Sequence, residues 1–216
     1  FGTGKLSGIL GESGSGKSTL GRVICGLLKP DSGSYQLDGT EVYASRAGKK
    51  LLQNRLSVVF QDYTTSANPR FRIRDVLAEG IRVWERKSKE KIDRTAECRR
   101  LMELVGLNET YLDRFPHELS GGQLQRVCIA RAVACRPELI LFDEAISSLD
   151  AHTQVQIMDL LRELKEKLNL TYVFITHDLT SVTYLCDQVM FLYHGRVTER
   201  IPVNQIAQTK NPYARK

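Results

Sequence analysis

KLSGILGESGSGKSTLGRVICGLL, residues 5–28, passes through three patterns in succession. KLSGILG (5–11) is a short apolar run of strand character, and KSTLGRVICGLL (17–28) has the three- and four-residue apolar steps of a helix that Pro30 then ends. Between them Gly11-Glu-Ser-Gly-Ser-Gly-Lys-Ser18 satisfies GxxxxGK[ST]. Glycines let the backbone curl so closely that its N–H groups point at phosphate oxygens, and the following helix N-terminus adds a favourable dipole. Gly11, Glu12, Ser13, Gly14, Ser15, Gly16, Lys17, Ser18 and Thr19 are therefore the expected phosphate cradle. In it Lys17 reaches the β- and γ-phosphates of a nucleotide and the Ser18 hydroxyl ligates Mg²⁺. The bland alternative is a glycine-rich turn with a chance lysine, and the strand before and helix after weigh against it.

Outward from that loop, RLSVVF (55–60), LILFD (139–143), TYVFIT (171–176) and QVMFLYH (188–194) read as buried strands, with a helical pattern over 153–168. Strands that alternate with helices imply a mostly parallel sheet covered on both faces, whose sites lie beyond the strands' carboxyl ends. Between Gln61 and Leu119 the pattern changes to helical stretches at about 74–86 and 90–106 and a turn-like region around Pro116, as for a helical subdomain inserted into the sheet. The boundaries that follow are 1–61 and 126–200 for the two parts of the core, 62–125 for the helical subdomain, and 201–216 for the remainder.

LILFDE delivers two adjacent carboxylates where a buried strand ends. Asp143 is expected to hold Mg²⁺ through its water shell, and Glu144 to orient and deprotonate an attacking water. An acidic pair of no special use is the alternative, and it weakens once Lys17 and Ser18 occur in the same chain. LSGGQLQR (119–126) carries a second signal, because Ser120 and Gln123 form an Ser-x-x-Gln capping box ahead of a helical pattern. That box would simply start a helix. Gly121 and Gly122, however, cost helix propensity in a first turn and gain nothing unless something approaches the backbone closely, and a helix N-terminus with bare N–H groups is an anion site.

GESGSGKST, the glutamine of VVFQD, LSGGQ, LILFDE, the SSLD segment and FITHD, in this order, resemble the ATP-binding subunits of ABC transporters over nearly the whole chain. The resemblance implies an α/β P-loop NTPase fold of RecA-like type with an inserted helical subdomain. It also implies an ATPase with ATP and Mg²⁺ as ligands, in which two such domains meet head to tail so that the signature of one closes over the ATP on the P-loop of the other. Carried over by position, Gln61 matches the glutamine that senses Mg²⁺ and the γ-phosphate, and His177 the switch histidine that holds the attacking water with Glu144. Asp150 matches the loop crossing the dimer interface, and Ser120 and Gly122 match positions that touch the partner's ATP, with Gly121 and Gln123 between and beside them. DEAISSLD places Ala145 and Ile146 where many members have Pro and Thr. The family stacks adenine on an aromatic about two dozen residues before the P-loop. The chain begins ten residues before Gly11, so that aromatic and the first strands are expected outside it, and Phe1 is too close to serve.

QDYTTSANPRFRIRDVL resembles the corresponding loop of importers for peptides and nickel, NPYARK a segment near the start of that group's C-terminal extension, and the stretch from LSGGQ to SSLD the nickel-import ATPase group. These similarities imply a second ATP-binding subunit, hetero- or homodimeric, two permeases, and an extracytoplasmic substrate-binding protein reached indirectly. The segment from Tyr63 to Arg74 is the expected groove for a permease coupling helix. The place implied is the cytoplasmic face of the cell membrane.

Composition narrows the field. The 216 residues, 42% hydrophobic and 26% charged, suffice for a full core, and no apolar run approaches the roughly 18 residues of a membrane span. No secretory leader is recognisable. Five dispersed cysteines without a CxxC pair read as buried thiols of a reducing compartment, and His117, His152, His177 and His194 are too scattered for a nickel site. The net charge of +6 invites nucleic acid, but the densest basic stretch (85–100) mixes signs and sets Glu90 four before Arg94, which suits a solvated helix face. Chromosome and DNA-repair ATPases with similar signatures need a long coiled coil, for which the roughly sixty residues between Gln61 and Ser120 leave no room. Non-transport relatives of the phosphonate-breakdown type remain as an alternative.

Overall fold

The computed structural model describes residues 4–209, so Phe1 and the NPYARK ending lie outside the described residues. In chain order the elements are β1 (Leu6–Leu10), α1 (Lys17–Ile24), β2 (Gln36–Leu37), β3 (Thr40–Glu41), α2 (Arg46–Arg55), β4 (Leu56–Phe60), α3 (Tyr63–Ser66), α4 (Ile73–Ser88) and α5 (Arg94–Leu104). They continue with α6 (Gly121–Ala134), β5 (Leu139–Asp143), α7 (Ala151–Leu168), β6 (Thr171–Thr176), α8 (Leu179–Leu185), β7 (Gln188–Tyr193) and β8 (Arg196–Pro202). Short 3-10 segments lie at Glu109–Asp113, Pro116–Glu118 and Val203–Gln208. Two compact units result: the described residues of Phe1–Val58, Glu138–Glu144 and Leu168–Lys216, and those of Val59–Pro137 with Ala145–Lys167.

The first unit is built on a sheet of order β4-β5-β6-β1-β7-β8. β1 runs parallel to both β6 and β7, β5 runs parallel to β6, and only β8 is known to run antiparallel, to β7. The central strands are buried on both sides, which their continuous apolar runs require. Alternation along β1 decides which face meets which helix. Ile9 packs with Ile24 of α1, Leu141, Val173 and Ile175, whereas the neighbouring Gly8 abuts α8 so closely that a Cβ there would sit 3.0 Å from Val182. Successive strand residues point to opposite faces, so α1 and α8 cover opposite faces of the sheet. The register pairs Leu10 with Thr176 and Asp143 with Ile175, which brings the carboxyl ends of β1, β5 and β6 to one edge.

The second unit is helical, and no strand occurs among its residues from 61 to 119. α4 lies along α6 at a separation only glycine permits, since a Cβ on Gly80 would overlap the Arg131 carbonyl oxygen and lie 2.9 Å from Ala134 Cβ. Arg131 ties the layer further by donating to the Ser66 carbonyl (2.6 Å) and to Glu79 (3.1 Å). α6 runs unbroken through Gln125 and Arg126, where the sequence suggested a boundary, and the whole helix belongs to this unit.

Three local expectations need correction. The first helix stops at Ile24, four residues short of its apolar pattern, because Gly26 takes φ +80° and closes a Schellman turn. Its N–H donates to the Val23 carbonyl (3.2 Å) and that of Leu27 to Arg22 (2.9 Å), well before Pro30. The helix expected from residue 90 starts at Arg94, where the Asp93 side chain accepts from the N–H groups of Thr95 and Ala96. Arg94 consequently pairs with Glu85 (2.6 Å) and not with Glu90, which precedes the helix. Strand β7 ends at Tyr193, and His194 and Gly195, both at positive φ, form its turn into β8.

Candidate functional site

At the sheet edge where β1, β5 and β6 end, a cavity of about 570 Å³ is lined by Glu12, Ser13, Gly14, Gly16, Lys17, Ser18, Thr19, Glu144 and His177. The loop that forms its floor depends on glycine. Gly14 and Gly16 adopt φ +78° and +99°, and a side chain on Gly11 would overlap the carbonyl of Leu192. Gly16 is also the N-cap of α1 and offers no side-chain acceptor, so the helix start has no side-chain cap, and its first residues Lys17, Ser18 and Thr19 line the cavity. Lys17 is almost fully buried. Its ammonium donates to the carbonyls of Gly11 (2.7 Å) and Glu12 (2.8 Å) and lies 4.0 Å from Glu144 Oε1.

The two carboxylates reach this edge by a device the sequence reading lacked. Strand alternation would send Asp143 and Glu144 to opposite faces. Glu144, however, sits at φ +48°, a left-handed conformation uncommon for a residue with a side chain, while its N–H still donates to the Ile175 carbonyl (2.9 Å). The turn redirects its carboxylate towards Lys17 and towards His177, whose Nδ1 is 3.4 Å from Glu144 Oε2. His177 follows directly on β6 and is more than half exposed, and Asp178 beside it fixes the start of α8 by accepting from Thr180 and Ser181. Asp143 Oδ1 is buried with no hydrogen-bond partner among the described residues, and burial first, then the neighbouring Glu144, push its carboxyl above the usual range. A buried carboxylate oxygen without a protein partner, at the carboxyl end of a strand, fits a divalent cation and its water shell. A buried ammonium in a glycine loop fits a polyphosphate. Together with a carboxylate positioned by a histidine, the set can bind a nucleoside triphosphate and hold a base beside its terminal phosphate.

The remaining sequence-selected residues belong to the second unit. Gln61 is exposed, and its amide donates to Ser147 Oγ at 3.4 Å. Ser120 caps α6 as expected: its Oγ accepts from the Gln123 N–H (3.3 Å) while Gln123 Oε1 accepts from the Ser120 N–H (2.9 Å). Gln123 Nε2 donates to the Tyr111 hydroxyl (3.0 Å), so both ends of its amide have a partner within the unit. The close approach that the sequence demands at Gly122 comes here from a side chain of the same unit. A Cβ there would sit 2.6 Å from Thr153 Cγ2. Asp150 accepts from the Thr153 N–H (3.0 Å) and hydroxyl (2.6 Å) at the start of α7. Among the described residues no group of acids, histidines and cysteines is arranged to hold a metal by itself, and all five cysteines are free thiols. Burial pushes Cys98 up to about 11 and raises Cys25, Cys128 and Cys186 as well, so these thiols are poor nucleophiles. Among the described residues no helix is long and apolar enough to cross a membrane.

Comparison with known proteins agrees with this geometry. The sequence profile described as ABC transporter matches residues 1–147. The chain is 44% identical over 212 residues to the metal-staphylopine import system ATP-binding protein CntF of Staphylococcus aureus, covering 98% of this chain and 83% of that protein. It is 40% identical over 215 residues to the oligopeptide transport ATP-binding protein OppF of Bacillus subtilis, covering 98% and 70%. Among solved structures, cbiO1 from Clostridium perfringens, part of the ABC transporter complex cbiONQ, superposes with a TM-score of 0.83 at 30% identity over 96% of this chain and 81% of its own. A dimeric, post-hydrolysis ATP-binding cassette, MJ0796, bound to ADP and Pi, gives 0.80 at 30% identity over 94% and 87%.

Proposed function

This chain belongs to the ABC transporter family as an ATP-binding subunit, an ATPase coupled to transport, and from that premise we propose how its residues share the work. The first unit is the nucleotide core. The loop from Gly11 to Thr19 binds the phosphates of ATP through its backbone amides, and Lys17 exchanges its two loop carbonyls for β- and γ-phosphate oxygens. Ser18 and Asp143 would hold Mg²⁺, a role that the family resemblance extends to Gln61, and the ion would neutralise charge on those oxygens. Glu144 takes a proton from the attacking water as its oxygen bonds to the γ-phosphorus, and the bond to the β–γ bridging oxygen breaks to leave ADP and inorganic phosphate. His177 keeps the Glu144 carboxylate aimed and contacts the γ-phosphate. The observation that carries this reading is the left-handed turn at Glu144, which sets a carboxylate between Lys17 and His177.

The second unit serves a neighbour. Ser120, Gly121, Gly122 and Asp150 present the start of α6 and the segment before α7 to ATP held on a partner's P-loop, in a head-to-tail pair. Gln123 contributes by fixing the helix start, because both ends of its amide are already engaged. The partner is a second ATP-binding subunit, and Tyr63 to Arg74 receives a permease at the cytoplasmic face of the membrane. Relatives named for oligopeptide transport and for metal-staphylopine import support a cargo that is a small peptide or a metal held by a small-molecule chelator, and nickel is the metal that the resemblance in the sequence adds. Uptake of a radiolabelled peptide and of nickel, with and without such a chelator, by cells lacking this subunit tests the reading. Loss of one of these uptakes, restored by the wild-type gene and not by Glu144→Gln, is expected. Undiminished uptake of all of them would refute it in favour of other cargo or a non-transport complex.

A further inference from the structure

We infer that Thr153 is a positioning residue that locks Asp150 and the start of α6 into one block, and that Gly122 is glycine in order to admit it. Three observations converge on this side chain. Its N–H and hydroxyl donate to the two oxygens of the Asp150 carboxylate, at 3.0 and 2.6 Å. Its methyl occupies the space that a Cβ at position 122 would need, at 2.6 Å. The segment it anchors is itself stitched to the first turn of α7, with Gln154 Nε2 donating to the carbonyls of Ile146 (3.1 Å) and Leu149 (3.0 Å) and the Gln154 N–H to that of Asp150 (2.9 Å).

The chemistry of a threonine makes this a coupling and not merely a contact. Oγ1 and Cγ2 share one carbon, so any rotation that moves the methyl away from a larger residue at 122 also swings the hydroxyl off Asp150. A disturbance at the helix start is thereby transmitted to Asp150 within a single side chain. The inference rests on the reading above, in which both features face the partner's ATP. There, Thr153 sets their spacing without touching nucleotide.

The test uses the chain assembled with its second ATP-binding subunit and permeases, in four forms: wild type, Gly122→Ala, Thr153→Ser and the double variant. Serine keeps the hydroxyl and removes the methyl, so it vacates the space that alanine needs. Gly122→Ala is expected to slow ATP turnover on the order of ten- to a hundredfold, the scale of a misplaced site, while ATP affinity at the chain's own P-loop stays within about twofold. The double variant should return to the rate of Thr153→Ser alone. A double variant as slow as Gly122→Ala would overturn the inference, because the glycine would then serve something other than Thr153, and so would a Gly122→Ala complex with wild-type turnover. Thr153→Val keeps the methyl and deletes the hydroxyl, which tests the other half independently of packing. Several-fold slower turnover at an unchanged melting midpoint is expected, and wild-type turnover would refute the link to Asp150. The Glu144→Gln complex, run alongside, separates this outcome from the larger one: if it alone is inactive, the hydrolytic reading stands whatever the Gly122 variants do.

Discussion

Replacing Glu144 by glutamine removes a charge and a base while keeping the shape, and the structure allows the consequences to be separated. Glu144 stands 4.0 Å from the Lys17 ammonium and 3.4 Å from His177, and its side chain is 19% exposed. Losing two partly solvated attractions costs little, and removing a negative charge beside Asp143 offsets part of it, since Glu144 is one of the groups that push the Asp143 carboxyl up. The net change in stability should be within about 1 kcal/mol, which moves the melting midpoint of a domain this size by roughly 2–4 °C. ATP binding should persist, because the phosphate cradle and Lys17 are untouched. Turnover should not, since a positioned general base contributes about 10²–10⁴-fold, or about 3–5 kcal/mol of barrier. ATPase rates of the assembled complex, beside ATP affinity by fluorescence titration, give both quantities. A Glu144→Gln complex that hydrolyses ATP within about twofold of wild type would refute the assignment of the base.

Other outcomes are equally open to measurement. Gly80→Ala gains about 1 kcal/mol of helix propensity but drives a methyl into the Arg131 carbonyl, an overpacking cost of roughly 1–3 kcal/mol, so thermal unfolding should show a lower midpoint. A higher midpoint would mean that α4 and α6 separate easily. Arg100, donating to both oxygens of Glu97 at 2.8 and 2.7 Å, holds that carboxyl below its usual range. Its contribution is therefore complete above the ordinary glutamate range, near pH 4.3, and is lost as pH falls below it. Glu97→Gln should flatten the decline of the melting midpoint between about pH 6 and pH 3, and an unchanged slope would contradict the pairing. Ser120→Arg should slow hydrolysis at the partner's P-loop more than at this chain's own, and site-resolved turnover with the opposite asymmetry would refute the head-to-tail arrangement.

Most of the nucleotide edge was legible because its signals are local. The strand, glycine loop and helix at 5–28 and the apolar runs at 139–143 and 171–176 need only periodicity and glycine content to be read. What escaped has nonlocal causes. β8 has an exposed, alternating surface with no continuous apolar run, and the two-residue strands β2 and β3 are too short to carry a period. α2 is capped by Ser45, whose hydroxyl accepts from the Gly48 N–H, a cap hidden in a lysine-containing stretch with little apolar pattern. The left-handed Glu144 has no sequence signal at all, since nothing in LILFDE distinguishes a carboxylate that follows the strand from one that turns off it. The packing role of Gly122 is hidden for a related reason. Its crowding comes from Thr153, thirty-one residues later, and a glycine needed for a packing neighbour looks the same in sequence as one needed for a ligand.

If this ATP-binding subunit turns over efficiently only as one half of a pair, assembly must raise its rate. The most direct measurement is the rate of ATP turnover per P-loop, at saturating ATP, for the isolated chain and for the same chain assembled with its second ATP-binding subunit and permeases in lipid vesicles. A site that lacks its partner's signature should work at least about tenfold more slowly, the loss expected when an oriented group is missing from a catalytic site. Equal rates in the two preparations would contradict the account.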